Sequence, residues 1–447
     1  MQKKVYIHNL GCPKNEVDGQ YYSGLIKNEE GFELVDDYSI SDIIIINTCG
    51  FINSAKEESI KAIWEAVELK NENICEAVIV AGCLSQRYHD ELSQDIPEID
   101  GIFGVGDYKN IISLLESVKE GDRKKIIADS HQSINQRLPR RPDDNSYAYL
   151  KIADGCNKNC TYCAIPSIKG PYQSRNMDLI LEEAEELISQ GFSELILIAQ
   201  DTTLYGMDIY GEPRLNNLIQ ELLDLGGNSW IRLMYTYLEH IEEELLQYIS
   251  SQKRLCSYLD LPIQHSVEAV RRKMKRPGDE SYLREKISKI RNIVPGISLR
   301  TALMVGFPGE TEDDFARLKK FVGEMKFDRL GVFKYSREEG TKAANLSGQI
   351  SEEVKKQRYN EIMRIQQEIS LEKNQEKVGE KCSVIIDSIR EGEFRGRTEA
   401  DAPEIDNEVH GSLPRRSSIE EGDIVTCKIR AASEYDLMGE IINEPGQ

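Results

Sequence analysis

The sequence predicts an α/β protein in three parts: an N-terminal parallel α/β domain, a partial (β/α)6 barrel and a small C-terminal antiparallel β-barrel module. Three observations carry this. Apolar strand runs alternate with amphipathic helices near the N-terminus, the alternation resumes after a polar gap with six further strand runs, and the last segment is short strands broken by Gly, Asp and Pro. A chain of 447 residues also exceeds one ordinary core, and 40% apolar with 30% charged residues supplies material for several.

In the first domain, placed at 1–122, strands are predicted at 4–9, 42–47 and 77–81, with a fourth apolar run at 101–105. Helices are predicted at 16–27, 55–69, 88–93 and 109–118. Strands joined through helices pair in parallel, and the helices cover both faces of the sheet. Residues 123–146 are polar, lack periodicity and carry Arg-Leu-Pro-Arg-Arg-Pro-Asp-Asp, which reads as a linker.

The second domain, placed at 147–374, has strand runs at 147–153, 194–200, 230–237, 258–263, 298–305 and 330–335, with helices such as 179–190 and 313–324 between them. Right-handed βα units curl a parallel sheet into a partial barrel, whose chemistry sits at the carboxyl ends of the strands. A charged helix at 351–377 places Val354, Ile362, Ile365 and Ile369 near one face and is expected to pack on this barrel. The remaining residues, 375–447, carry strands at 382–387, 394–398 and 424–430 and predict the β-barrel module.

No apolar run approaches the length of about 18 residues that a membrane helix needs, and Met-Gln-Lys-Lys leads directly into Val-Tyr-Ile-His without an apolar signal core. The expected location is cytoplasmic. The formal charge is −21, from 77 acidic and 56 basic side chains, which disfavours a nucleic-acid backbone and favours basic partners. With 10 cysteines and no secretory signal, cluster or metal ligation is expected rather than disulfides.

Directly after the first barrel strand stands Cys156-Asn-Lys-Asn-Cys160-Thr-Tyr-Cys163. Three thiolates on one loop hold three irons of a cubane and leave the fourth without a protein ligand. That open iron can take the amino and carboxylate groups of S-adenosylmethionine, and one electron then splits the sulfonium to a 5′-deoxyadenosyl radical. A structural zinc knuckle is the plainer reading, but zinc wants a fourth ligand, and the nearest downstream candidate, His265, is far along the chain.

Cys12, Cys49 and Cys83 share no local motif, yet each follows an apolar run: VYIHNLGC, DIIIINTC and AVIVAGC. Their near-equal separations, about one strand-plus-helix unit each, place all three beyond the carboxyl edge of a parallel sheet, where they can converge on a second cluster. Cys75, Cys256, Cys382 and Cys427 read as small buried hydrophobes.

LGCPKNEVD, NTCGFINSAKEESI, AGCLSQRY and DGCNKNCTYCAIP, in this order, resemble the radical S-adenosylmethionine methylthiotransferase family over nearly the whole chain. That resemblance implies an N-terminal three-Cys domain, a radical barrel and a C-terminal β module called TRAM. GCPKN, TCGFI, IAQDTTLYGMDIYG and GRTEADAPEID are similar to the branch that methylthiolates the β-carbon of an aspartate in small-subunit ribosomal protein twelve. Where the family shows Arg-Gly and then Arg-Ser-Arg, this chain has Lys169-Gly170 and Gln173-Ser174-Arg175, so no substrate contact is carried over there. Residues 375–447 hold 9 Lys and Arg against 17 Asp and Glu, a net of −8, which suits a basic ribosomal protein better than RNA.

The resemblance implies two 4Fe-4S clusters and S-adenosylmethionine as cofactors. Cys156, Cys160 and Cys163 would hold the radical-generating cluster, and Cys12, Cys49 and Cys83 an auxiliary cluster whose open iron carries the sulfur to be inserted. A second S-adenosylmethionine would methylate that sulfur. No proton-transferring dyad is expected, since acid–base chemistry cannot activate such a C–H bond. Tyr162 and Ile165 flank the cluster loop and are candidates to touch adenine, and Gln200, Asp201, Gln264 and Arg300 are candidates to orient S-adenosylmethionine. Arg300 is expected to pair with its carboxylate, and VGFPGE to let backbone approach the cofactor. A reductase such as a flavodoxin or ferredoxin is expected to supply electrons. The alternatives are a tRNA methylthiotransferase acting on a modified adenosine, and a ribosome- or RNA-binding iron–sulfur protein without catalysis.

Overall fold

The structure, a computed structural model, describes residues 2–127, 134–414 and 417–443. Part of the predicted linker, 128–133, and residues 415–416 and 444–447 of the C-terminal segment lie outside the described residues. The chain divides into two compact units, Met1–Asp143 with Lys151–Ile180 and Ser336–Ala344, and Asp144–Leu150 with Leu181–Tyr335 and Asn345–Gln447.

The first unit is built on a six-stranded parallel sheet. Its strands are β1 (Lys3–Asn9), β2 (Phe32–Leu34), β3 (Ile43–Thr48), β4 (Ala77–Gly82), β5 (Gly101–Phe103) and β6 (Lys124–Ile126), in the order β2-β1-β3-β4-β5-β6. β3 and β4 lie at its centre and are buried at every position, as expected of the continuous apolar runs IIIINT and AVIVAG. Helices α1 (Pro13–Lys27), α2 (Asn53–Asn71), α3 (Cys83–Asp95) and α4 (Asn110–Lys119) make the crossovers. Pro13 opens α1, where its missing N–H costs nothing.

Three readings are corrected here. The two edge strands β2 and β6 are too short to show alternation in sequence. β6 lies inside the segment read as linker, and further along that segment Arg140 donates to Gln20 Oε1 (2.8 Å) and Gln20 donates to Asp143 (2.7 Å), so it is strapped to α1. Helix α3 begins at Cys83, earlier than the apolar pattern indicated, because Gly82 turns strand directly into helix.

In the second unit the barrel strands form two parallel sheets of three, Tyr147–Lys151, Glu194–Ile198 and Trp230–Leu233 in one, and Tyr258–Asp260, Ser298–Val305 and Arg329–Lys334 in the other. The Thr236 N–H donates to Asp260 O (3.0 Å) across the gap between them. The helix Glu352–Glu376 buries Ile362 and Ile369, and the C-terminal segment closes into a five-stranded barrel. Its strands Val409–Ser412 and Leu437–Asn443 were not read from sequence. No helix among the described residues is long and apolar enough to cross a membrane.

The C-terminal barrel is joined to the rest of this unit by buried charge. Arg397 donates to Glu194 (2.6 Å), which also accepts from Arg232 (2.5 Å), while Arg329 donates to Asp401 (2.9 Å) and Arg300 to Asp406 (3.3 Å). Glu194, Arg300 and Arg329 all lie at the amino-terminal ends of their strands. The small barrel therefore covers the amino ends, the side opposite to that used for chemistry in such folds.

Candidate iron–sulfur and radical site

All six cysteines of the two sets fall in the first unit. Strand register explains why Cys12, Cys49 and Cys83 come together: Asn9 pairs with Asn47, and Thr48 with Gly82, so the three strands end level. Two glycines allow the final approach. A Cβ on Gly11 (φ +95°) would stand 2.7 Å from the Cys49 Cβ, and one on Gly82 (φ +95°) would stand 2.6 Å from Thr48 O.

Side chains that sequence reasoning missed fix these loops. Buried Asn15 donates to Leu10 O (2.6 Å), and buried Asn47 donates to Asn15 O (2.7 Å). The Cys49 N–H donates to Ser59 Oγ (3.0 Å), which returns a hydrogen bond to Cys49 O (3.1 Å). Asn15 and Ser59 lie inside the NEVD and EESI stretches, and a small polar residue beside a cysteine loop was the only available signal.

Burial pushes the Cys49 thiol up to about 11 and the Cys83 thiol up to about 12. Thiols so buried ionise only against a strong positive charge, which a bound metal cluster supplies. Among the described residues no three acidic, histidine or cysteine side chains close on one point as ligands of a single ion do. A cubane, whose irons occupy separate corners, has no such requirement. The donor chemistry of both sets, thiols alone, fits clusters.

The second loop hangs between the short antiparallel strands Ala153–Asp154 and Gln173–Ser174. The Cys156 N–H donates to Gly170 O (3.1 Å), the Cys163 N–H to Cys160 O (3.2 Å), and the Lys158 N–H points at Cys156 Sγ (3.4 Å). Backbone N–H groups aimed at sulfur suit a ligating thiolate. Tyr162 lies within this loop and Ile165 opens the short helix Ile165–Lys169 that follows it. Cys83 packs with Val105, Ala164 and Ile168, so one cysteine of the first set abuts the residues that follow the second loop.

Beneath both lies a buried ionic network. Asp18 Oδ1 accepts from Tyr108 (2.7 Å) and pairs with Lys151, Asp18 Oδ2 accepts from Lys169 (2.8 Å), and Asp154 Oδ2 lies 3.4 Å from Lys169 and 3.5 Å from Lys151. Burial alone would raise the Asp18 carboxyl, but Lys151 and Lys169 outweigh it and hold it below the usual carboxylate range. Lys169 is thus an interior residue, as is Arg175, which donates to Lys151 O (2.8 Å).

In the second unit, Gln200 follows the strand Glu194–Ile198, and Asp201 caps the turn Thr202–Leu204 through the Thr203 N–H (3.1 Å). Gln264 takes a left-handed backbone (φ +76°) and pairs with the strand Ser298–Val305 through Ala302 O (2.9 Å). Arg300 is placed differently from expectation. It lies near the start of its strand, and its guanidinium is engaged by Asp260 (3.2 Å) and Asp406 (3.3 Å), because the C-terminal barrel supplies the carboxylate expected of a ligand. In VGFPGE, Glu310 accepts from the Phe307 N–H (3.1 Å) and pairs with Arg358 (3.4 Å), organising a turn at Gly306 (φ +74°).

Residues 4–104 match the uncharacterized protein family UPF0004, 150–322 the radical SAM superfamily and 378–442 the TRAM domain. The chain is 46% identical to the ribosomal protein uS12 methylthiotransferase RimO of Clostridioides difficile (strain 630), over 443 residues and 99% of each chain. The chain belongs to the RimO family. It is 44% identical to the RimO protein of Trichlorobacter lovleyi, again over 99% of each chain, and 45% identical to that of Desulforamulus reducens, over 97% of this chain and 98% of that one. Among solved structures, the radical S-adenosylmethionine methyltransferase TsrM from Kitasatospora setae shares the fold, with a TM-score of 0.56 at 13% identity over 94% of this chain and 84% of that one.

Proposed function

We propose that this chain is a radical S-adenosylmethionine enzyme that inserts a methylthio group at the β-carbon of an aspartate in ribosomal protein uS12. The observation that carries this reading is the presence of two three-cysteine sets in one compact unit, with Cys83 of one packed against Ala164 and Ile168, which follow the loop of the other. A radical initiator alone needs one set, whereas sulfur insertion needs a second cradle beside it. The RimO relatives supply the substrate class by their names.

In this reading Cys156, Cys160 and Cys163 hold the radical-generating 4Fe-4S cluster, and Cys12, Cys49 and Cys83 hold the auxiliary one. These cofactors, with S-adenosylmethionine, supply the radical and the methylthio group. Tyr162 and Ile165 are the candidates for adenine, and Gln200 and Gln264, which follow strand ends, are the candidates to orient S-adenosylmethionine. Asp201 acts as a turn cap, and Arg300 leaves the set because its carboxylate partners belong to the chain itself. The enzyme works in the cytoplasm with a flavodoxin or ferredoxin as electron donor, and its domain limits are placed at 1–122, 147–374 and 375–447, with 123–146 between the first two.

The acidic balance of residues 375–447 supports a basic protein substrate over tRNA. Two measurements test the reading. Replacing Cys156, Cys160 and Cys163 by alanine should leave about half of the iron and labile sulfide and abolish 5′-deoxyadenosine formation. Mass analysis of uS12 from a deletion strain should lack the methylthio adduct. A modified aspartate persisting in that strain, with tRNA methylthiolation lost, would sink the protein-substrate reading.

A further inference from the structure

The segment Ser336–Ala344 follows the last barrel strand in sequence, yet it belongs to the first unit. Its polar groups are engaged there. Buried Glu338 pairs with Lys56 (2.8 Å) and Arg87 (2.9 Å) and accepts from Ser336 (2.6 Å), while Ser336 Oγ accepts from the Asn53 N–H (3.3 Å). Asn53 and Lys56 lie in the first turn of α2, and Arg87 lies one turn into α3, whose first residue is Cys83. Arg87 also donates to Glu339 O (2.8 Å) and to Gly50 O (3.0 Å). Gly50 follows Cys49 and lies against the backbone of another cysteine of the same set, since a Cβ on it would stand 2.8 Å from Cys83 O. One guanidinium thus holds the place where the Cys49 loop touches Cys83, and Glu338 and Glu339 hold the guanidinium.

The far end of the segment reaches the second cysteine loop. The Ala343 N–H donates to Thr161 O (2.8 Å), between Cys160 and Cys163, and Ala343 is fully buried. Between these anchors the segment braces itself, with Thr341 Oγ1 donating to Glu338 O (2.6 Å) and Arg337 to Ala344 O (2.8 Å). Ion pairs like those of Glu338 are weak evidence for stability. What they define here is spacing, because one braced segment has an end on each cysteine loop.

We propose that Ser336–Ala344 is a clasp that keeps the two cysteine loops in register for methylthio transfer, with Glu338 and Arg87 as its positioning residues. A group supplied at one site reacts at another only while the geometry between them holds, and a misplacement of about 1 Å can cost about a hundredfold in rate. The proposal rests on the two cysteine sets being the two cluster sites.

The test uses the full chain and two variants. Arg87→Lys keeps the charge facing Glu338 but loses the planar fork that reaches Gly50 O, Glu338 and Glu339 O together. Thr341→Val removes the brace inside the clasp and lies in neither cysteine loop. Hydrogen exchange of the apoprotein, read by mass spectrometry, is expected to be about fivefold faster in both variants at residues 49–53 and at 157–163, equivalent to one hydrogen bond of about 1 kcal/mol. The central strands β3 and β4 should exchange as before. In the reconstituted enzyme, methylthiolated uS12 formed per 5′-deoxyadenosine is expected to fall about tenfold at unchanged iron content. Exchange that rises at 49–53 alone in Arg87→Lys would overturn the clasp, because the disturbance would stop at the first loop. Unchanged exchange at both loops in Thr341→Val would overturn it too, as would faster exchange throughout the sheet, which would make the segment a general stabiliser. An unchanged product ratio beside loosened loops would refute its part in transfer. Wild-type protein that takes up the iron of a single cluster would instead refute the two-cluster reading, while the apoprotein exchange still decides whether the clasp exists.

Discussion

Asp18 gathers two ammonium groups and a tyrosine hydroxyl on one buried carboxylate. Removing its charge leaves Lys151 and Lys169 short of compensation in a water-free setting, where an uncompensated buried charge costs about 3–5 kcal/mol. Asp18→Asn is therefore expected to lower the urea midpoint of the apoprotein markedly, and to reduce iron uptake at both cysteine sets rather than one. The position was legible in sequence only as part of the NEVD motif. Nothing in a helix pattern tells that a carboxylate will meet lysines from a segment more than a hundred residues away. Lys169 shows the same limit, since its departure from the family's arginine only put a substrate contact in doubt, whereas the structure makes the side chain interior. The cysteines stood out in sequence because cluster ligation, where it occurs, imposes residue type and spacing directly.

At the scale of elements, the sheet of the first unit brings Cys12, Cys49 and Cys83 together through the way its strands end. Gly82 is the point where β4 becomes α3, with φ +95° and ψ −151°, a region essentially reserved for glycine. Gly82→Ala is expected to cost about 1–3 kcal/mol from the backbone, and more from the clash with Thr48 O. Its distinctive readout is selective: if Cys12, Cys49 and Cys83 hold a cluster as proposed, iron content should fall while 5′-deoxyadenosine formation persists. The central strands were readable because runs such as IIIINT are buried on both faces. The short edge strands Phe32–Leu34 and Lys124–Ile126 were not, since three residues give no period and their pairing comes from the neighbouring strand.

At the scale of the whole molecule, the C-terminal barrel is integral to the second unit. Deleting residues 378–447 would strip Arg397, Asp401 and Asp406 from Glu194, Arg329 and Arg300 and uncover the amino ends of the barrel strands. The truncated chain is expected to be insoluble or to melt well below the full chain in calorimetry, instead of losing substrate binding alone. The same ion pairs make this unit acid-sensitive. Burial alone would raise the Glu194 carboxyl, but Arg232 and Arg397 outweigh it and hold it below its unfolded value of about 4.3. A depressed carboxylate contributes stability above that pH and loses it as pH falls through the folded value. Thermal unfolding should therefore be flat from neutral pH to about 5 and fall steeply below about 4, and Glu194→Gln should blunt that fall.

The stretch GRTEADAPEID acquires a meaning that motif reading did not give it, since its Arg397, Asp401 and Asp406 form one half of a matched fitting whose other half is Glu194, Arg329 and Arg300. Modules of this kind are then not freely exchangeable between relatives. A C-terminal barrel transplanted from a tRNA-directed enzyme would seat on this chain only if those three charges travelled with it.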